Sequence, residues 1–199
     1  MVQVAGINIY RIADSRTVDD DDTKFTLSNI YRMIIALANG DVTGSPVKIA
    51  AIFVDYLQAL PIDDEVRNSG SENKRRLQVR NDVYRLRKMT VHVGAPIIVN
   101  VQAKLDLRNP RAPYFIPGIN DGEETSSIGQ RFDRIIGIWM PKVDHYRVGE
   151  SVPGLGDVTE DLFFIKVSKQ RGGIESGKTF GCRWNFRTGE LFSQDSVIL

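Results

Sequence analysis

Asp55 stands near the end of the apolar run KIAAIFVDYL, residues 48–57. Such a run is expected to form a strand buried on both faces of a parallel sheet. The carboxylate then emerges at the C-terminal edge of the sheet, where α/β proteins bind ligands. Held there on a rigid strand, it can take a magnesium ion that bridges phosphates. The plainer alternative is a structural Asp or a helix cap. A second string, Gly172-Gly173-Ile174-Glu175-Ser176-Gly177-Lys178-Thr179, spells GxxxxGK followed by Thr, the expression of a phosphate-cradling loop. A working loop of that kind must open a helix, because the helix N-terminus and the loop amides bind the phosphates together. The next residues in this chain are Phe180-Gly181-Cys182-Arg183-Trp184-Asn185-Phe186, whose period of two predicts a strand. The string is therefore expected to be a decoy that binds no phosphate.

The elements that position these residues can be read along the chain. Residues 6–12 (GINIYRI) alternate as a short strand, and residues 19–22 are an acidic run expected to lie in a solvated loop. Residues 26–38 carry Ile30, Ile34 and Leu37 at helical spacing, with Thr26 or Ser28 as cap and Asn39-Gly40 as stop. Residues 63–73 are polar and read as a mobile loop. Over residues 72–92 Val79, Val83 and Leu86 share one helix face, and Arg76, Arg80 and Arg87 share another. With Lys74, Arg75, Arg85 and Lys88 nearby, that second face is either a solvated outer surface or a phosphate-contacting one whose binding depends on salt. Residues 95–101, 134–140 and 161–167 read as further buried strands. Residues 106–129 form a long aperiodic stretch of the length that is functional or disordered. Trp139 and Trp184 fall in strand patterns and are expected in the core; His92 is expected to be a cap or surface residue.

Composition narrows the class. The chain has 199 residues, 42% of them hydrophobic, and a net charge of +1, so any nucleic-acid site must be a local patch. Cys182 is the only cysteine and His92 and His145 the only histidines, which argues against a disulfide framework and a zinc site. No apolar run approaches the roughly 20 residues of a membrane span, and no signal pattern opens the chain. The reading is a cytoplasmic protein with no membrane partner. No Ser-His-Asp or Cys-His set suggests hydrolytic nucleophile chemistry.

Asp55-Tyr56-Leu57-Gln58, then a loop and a basic helix, then Pro96-Ile97-Ile98-Val99-Asn100-Val101-Gln102, resembles the RecA-like ATPase domain of bacterial replicative helicases of the DnaB type. That family carries an Asp-Tyr-Leu-Gln Walker B element and, one helix later, a strand ending in a Gln that senses the γ-phosphate. Ser126-Ser127-Ile128-Gly129-Gln130 with Asp133 is similar to the family's Ser-Gly-Ser-Ile-Glu-Gln segment. Lys169-Gln170-Arg171-Gly172-Gly173 is similar to its Lys-Gln-Arg-Asn-Gly motif, and residues 185–192 to its closing hairpin. Gly129, Arg131 and Phe132 depart from the pattern, standing where the family has acidic or small residues.

The resemblance covers roughly residues 6–193 and implies an α/β fold in one domain spanning 1–199. That fold is a RecA-like P-loop NTPase core with an incomplete, mostly parallel sheet, flanking helices and a C-terminal β-hairpin over 162–193. It implies that Asp55 binds ATP through Mg2+, that Gln102 senses the γ-phosphate, and that Lys169 and Arg171 act on the ATP of a neighbouring subunit in a hexamer. Residues 106–129 would fall where the family's central-channel loops contact single-stranded DNA, with Lys104, Arg108 and Arg111 as backbone contacts and Tyr114 and Phe115 as stacking groups. The family's P-loop strand and catalytic Glu would precede this chain's first strand. A homo-oligomeric copy or a partner would then supply the P-loop segment. The alternative expectation is a catalytically inactive, helicase-derived module that binds DNA or a protein.

Overall fold

The computed structural model describes residues 2–4, 7–10, 25–103, 116–121, 127–144, 146–152, 156–172 and 176–193. The chain divides into two compact units, Met1–Gln102 and Ala103–Leu199. The architecture is mixed α/β, with a small parallel sheet in the first unit and a separate antiparallel sheet in the second.

In the first unit, β1 (Val2–Val4) and β2 (Ile7–Ile9) form an antiparallel hairpin. Helix α1 (Leu27–Asn39) starts at Thr26, whose hydroxyl accepts from the Asn29 amide, and stops at Gly40 in the left-handed conformation. Ser28, the other candidate cap, instead donates to Asp63. Strand β3 (Ile52–Val54) pairs in parallel with β4 (Ile97–Val99), joined through α2 (Asp64–Arg67) and α3 (Lys74–Val93). Asn73 caps α3 by accepting from the Arg76 amide, and Gly94 ends it. The α3 face predicted from its period, Val79, Val83 and Leu86, is the one buried, and Met89 joins it; each is at most 2% exposed. Each such side chain contributes about 1.5–3 kcal/mol of transfer free energy. The parallel pair, expected to be covered on both faces, is not. Phe53 and Ile98 lie in register on one face, 74% and 44% exposed. Residues 63–73, which read as a loop, contain α2 and the buried Asp63.

The second unit holds α4 (Ser127–Arg131) and a four-stranded sheet. Its strands are β5 (Arg134–Trp139), β8 (Leu162–Gln170), β9 (Thr179–Trp184) and β10 (Leu191–Ser193), in the order β10-β9-β8-β5. All its pairings are antiparallel. Only β3–β4 among the described residues meets the expectation of a mostly parallel sheet. The physical reason is the connection. Parallel neighbours need a crossover, usually a helix, as α2 and α3 provide between β3 and β4. Between β5 and β8 the described residues hold only a 3-10 turn (Pro141–Val143) and the short hairpin β6 (Ser151–Val152) and β7 (Gly156–Asp157).

One face of the sheet packs Trp139, Phe164 and Leu162 with Ile116, Val152 and Val158. The Trp139 indole also donates to Asp144 at 2.8 Å and meets Tyr146 edge-on. Gly137 is required here, since a Cβ would lie 1.9 Å from the Pro117 carbonyl oxygen. Gly129 is required in α4 for the same reason, with Ile119 O 2.3 Å away. Trp184, expected in the core, is 38% exposed, with its ring against Phe163.

Candidate functional site

The site is built at the C-terminal ends of β3 and β4. Because Val54 stands opposite Val99, the next residues, Asp55 and Asn100, come side by side. Asn100 Nδ2 donates to Asp55 Oδ1 at 2.8 Å. The ladder continues past the strands: Asn100 N donates to Val54 O, and Leu57 N to Asn100 O, both at 2.9 Å. The peptide between Asp55 and Tyr56 is cis. Leu57 is fully buried and anchors the segment, leaving Asp55 and Tyr56 exposed.

Gln58 closes the arrangement. Its side chain donates to Gln102 O and accepts from Gln102 N, each at 3.1 Å. This two-way clamp fixes the backbone of Gln102 relative to Asp55. Arg75 of α3 in turn donates to the carbonyls of Leu60 and Gln58. Asp55 directly follows β3, whereas Gln102, expected to end a strand, lies three residues past the end of β4 and is held near Asp55 through the Gln58 clamp. Sequence reasoning assigns no role to Asn100 or Gln58. A signal for Asn100 is present nonetheless: IFVD and IIVN are both apolar runs ending in a polar residue, and pairing them in parallel places Asn100 beside Asp55.

The fit to magnesium is specific in kind. Among the described residues no group of three or more His, Cys, Asp and Glu is placed to hold a metal. One exposed carboxylate with an amide neighbour suits an ion that keeps most of its waters and arrives with nucleotide phosphates, not a resident ion.

Lys169 lies near the end of β8 in the second unit, and Arg171 directly follows that strand. Lys169 Nζ donates to Gly129 O at 2.7 Å and Gln130 O at 3.1 Å. Arg171 donates to Gln130 O and pairs with Asp133, both at 3.1 Å. Both cations thus cap the last carbonyls of α4, where the helix end is negative. Lys104, Arg108 and Arg111, with Tyr114 and Phe115, lie outside the described residues.

The GxxxxGK string is a hairpin connection, as expected. Thr179 opens β9, not a helix. The Gly177 amide donates to Val167 O at 2.6 Å, and Lys178 O accepts from Val167 N at 2.9 Å. An amide spent on the β-ladder cannot also cradle a phosphate. Lys178→Ala is accordingly expected to leave the Mg-ATP affinity of any complete assembly within about twofold of wild type. A loss of tenfold or more by calorimetry, about 1.4 kcal/mol, would restore the string as a phosphate site.

Comparison with known proteins adds no assignment: no protein-family model matches the chain, and no curated protein is similar to it in sequence.

Proposed function

We propose that this chain is the C-terminal part of the ATPase domain of a DnaB-type replicative DNA helicase, with a RecA-like core. The observation that carries the reading is the pairing of β3 with β4. It puts the carboxylate of the Asp-Tyr-Leu-Gln element at the end of β3, beside the segment that leads from β4 to Gln102, with Gln58 of the same element clamping the Gln102 backbone. In this reading magnesium, bound with ATP, neutralises phosphate charge. Asp55 holds that ion, and Gln102 hydrogen-bonds the γ-phosphate oxygens. Lys169 and Arg171 exchange their contacts with residues 129–133 for the phosphates of a neighbouring subunit. The P-loop comes from another segment or partner. Among the described residues β4 and β5 each have a single strand partner, and these are the strands that flank the P-loop strand in the family's sheet. An unpaired strand edge is a template for addition of a strand.

The second reading is a helicase-derived module without catalysis, binding DNA or a protein. The engagement of Lys169 and Arg171 by α4 favours it, because both groups are already satisfied within the chain. The two readings separate on one experiment. The chain alone is expected to bind Mg-ATP weakly and to show no turnover. Co-expression with the P-loop-bearing half of a DnaB-type ATPase domain is expected to give an oligomer with magnesium-dependent ATPase activity, abolished by Asp55→Asn. Tight Mg-ATP binding by the chain alone, or activity indifferent to Asp55→Asn, would overturn the first reading. A stable complex without turnover would favour the second.

A further inference from the structure

Helix α3 carries seven Lys and Arg residues and a single acid, Asp82. The structure sorts them. Arg75 and Arg85 turn inward, to the 58–60 carbonyls and to Asp63, and Lys74 reaches back to the Arg67 carbonyl. Arg76, Arg80, Arg87 and Lys88 remain on the exposed face, and Tyr84 stands among them, 46% exposed. At 3.6 residues per turn these five fall within about a third of the helix circumference and span about 18 Å along it. Asp82 is fully buried on the opposite side, so no carboxylate of α3 offsets the stripe. Lys88 Nζ sits 4.6 Å from the centre of the Tyr84 ring. With a whole-chain net charge of only +1, this is a local concentration of positive charge and not a general property of the surface.

We propose that the exposed face of α3 is a binding surface for a single-stranded nucleic acid. Arg76, Arg80 and Lys88 contact successive phosphates, and a base stacks on Tyr84. The chemistry favours this partner over other polyanions. Cations flanking an aromatic ring one turn on either side match a phosphate–base–phosphate pattern. A duplex or an anionic bilayer would use the charge and leave the ring idle. The surface lies on the first unit and is distinct from the stretch containing Lys104, Arg108 and Arg111. It does not depend on the ATPase reading.

The test is fluorescence anisotropy of the full chain with a labelled oligothymidylate, titrated across a range of salt concentrations. Single-strand binding loses about 0.7 in the slope of log K against log salt for each phosphate contact removed. The Arg76→Gln, Arg80→Gln, Lys88→Gln triple variant is therefore expected to flatten the slope by about 2. Tyr84→Ala is expected to weaken binding about tenfold, the value of one stacked base. Arg76→Lys with Arg80→Lys keeps the charges and is expected to keep the slope. A charge-matched control, Lys142→Gln, Arg183→Gln, Arg187→Gln, is expected to leave it unchanged, and all four variants should melt with the wild type because every substituted side chain is exposed. Equal flattening by the control would overturn the proposal, as would a silent Tyr84→Ala with equal affinity for duplex. Tighter, triple-variant-sensitive binding to phosphatidylserine vesicles than to the oligonucleotide would also overturn it.

Discussion

Asp63→Ala is expected to destabilise the first unit by about 3–5 kcal/mol, the cost of stranding one partner of a buried ion pair. Asp63 is 5% exposed and gathers three donors on one oxygen: Ser28 of α1, and Gln78 and Arg85 of α3. Its backbone amide also donates to Gln78 Oε1 at 2.9 Å. Although Asp63 precedes α2, its side chain makes no cap hydrogen bond there, so the loss is not that of a helix cap. Among the described residues, removing the carboxylate leaves the Arg85 guanidinium with the exposed Glu65 at 3.5 Å and a distant Asp82 at 3.9 Å. Both tryptophans, Trp139 and Trp184, belong to the second unit, so helical circular dichroism and exchange of the α3 amides are the readouts. Asp63→Asn keeps acceptors for Ser28 and Gln78 but not the charge, and its cost should fall between. A cost below about 1 kcal/mol for Asp63→Ala would show the cluster to be no more than a surface ion pair.

This cluster matters to the site because it holds the segment behind it. Gln78 and Arg75 grip residues 58–63 from α3, Gln58 then grips Gln102, and the parallel ladder brings Asn100 to Asp55. The support of the candidate site is therefore polar and buried, which is why it is not legible in the sequence. Period 3.6 exposes the Val79, Val83 and Leu86 face, because apolar residues announce burial by type. Asp63, Gln78, Asp82 and Arg85 look like surface residues one by one, and only their mutual pairing makes burial tolerable. The 63–73 stretch reads as a mobile loop on the same ground.

Other parts are legible for definite reasons. The alternation of Phe180, Cys182, Trp184 and Phe186 rules out a helix after Lys178, and the strand β9 results from it. Asp55 at the end of an apolar run stands at a strand end because the run itself sets the register. Strand direction is not legible in the same way. Residues 134–140 and 161–167 are apolar runs like 95–101, and such runs carry no mark of whether the neighbour is parallel; the length and helix content of the connection decide it. Nor does a continuous apolar run reveal what covers it, and Phe53 and Ile98 stand exposed where the run predicts two-sided burial.

The pH dependence of stability should isolate Asp82. Burial pushes its carboxyl up from 3.8 to about 7, against the lowering effects of the Gln78 hydrogen bond and the Arg75 charge. The geometry agrees, since the residue is fully buried and Oδ2 has no hydrogen-bond partner among the described residues. The groups facing it are Gln78 at 2.8 Å, Arg85 at 3.9 Å, Arg75 and, through Arg85, Asp63. With a folded value above the unfolded one, Asp82 costs nothing below about pH 4, where both states hold the proton. From about pH 4 to 7 the unfolded chain releases the proton and the folded chain keeps it, so stability falls as pH rises. The full penalty, at most about 4 kcal/mol, is reached above about pH 7. Asp82→Asn keeps the shape and the acceptor for Gln78 but cannot ionise. The variant is therefore expected to match wild type near pH 4 and to exceed it near pH 8, with the difference growing across that interval in urea unfolding followed by circular dichroism. A difference that stays flat from pH 4 to 8 would mean that Arg75 and Arg85 keep Asp82 ionised throughout, and that the buried cluster is a fully charged one.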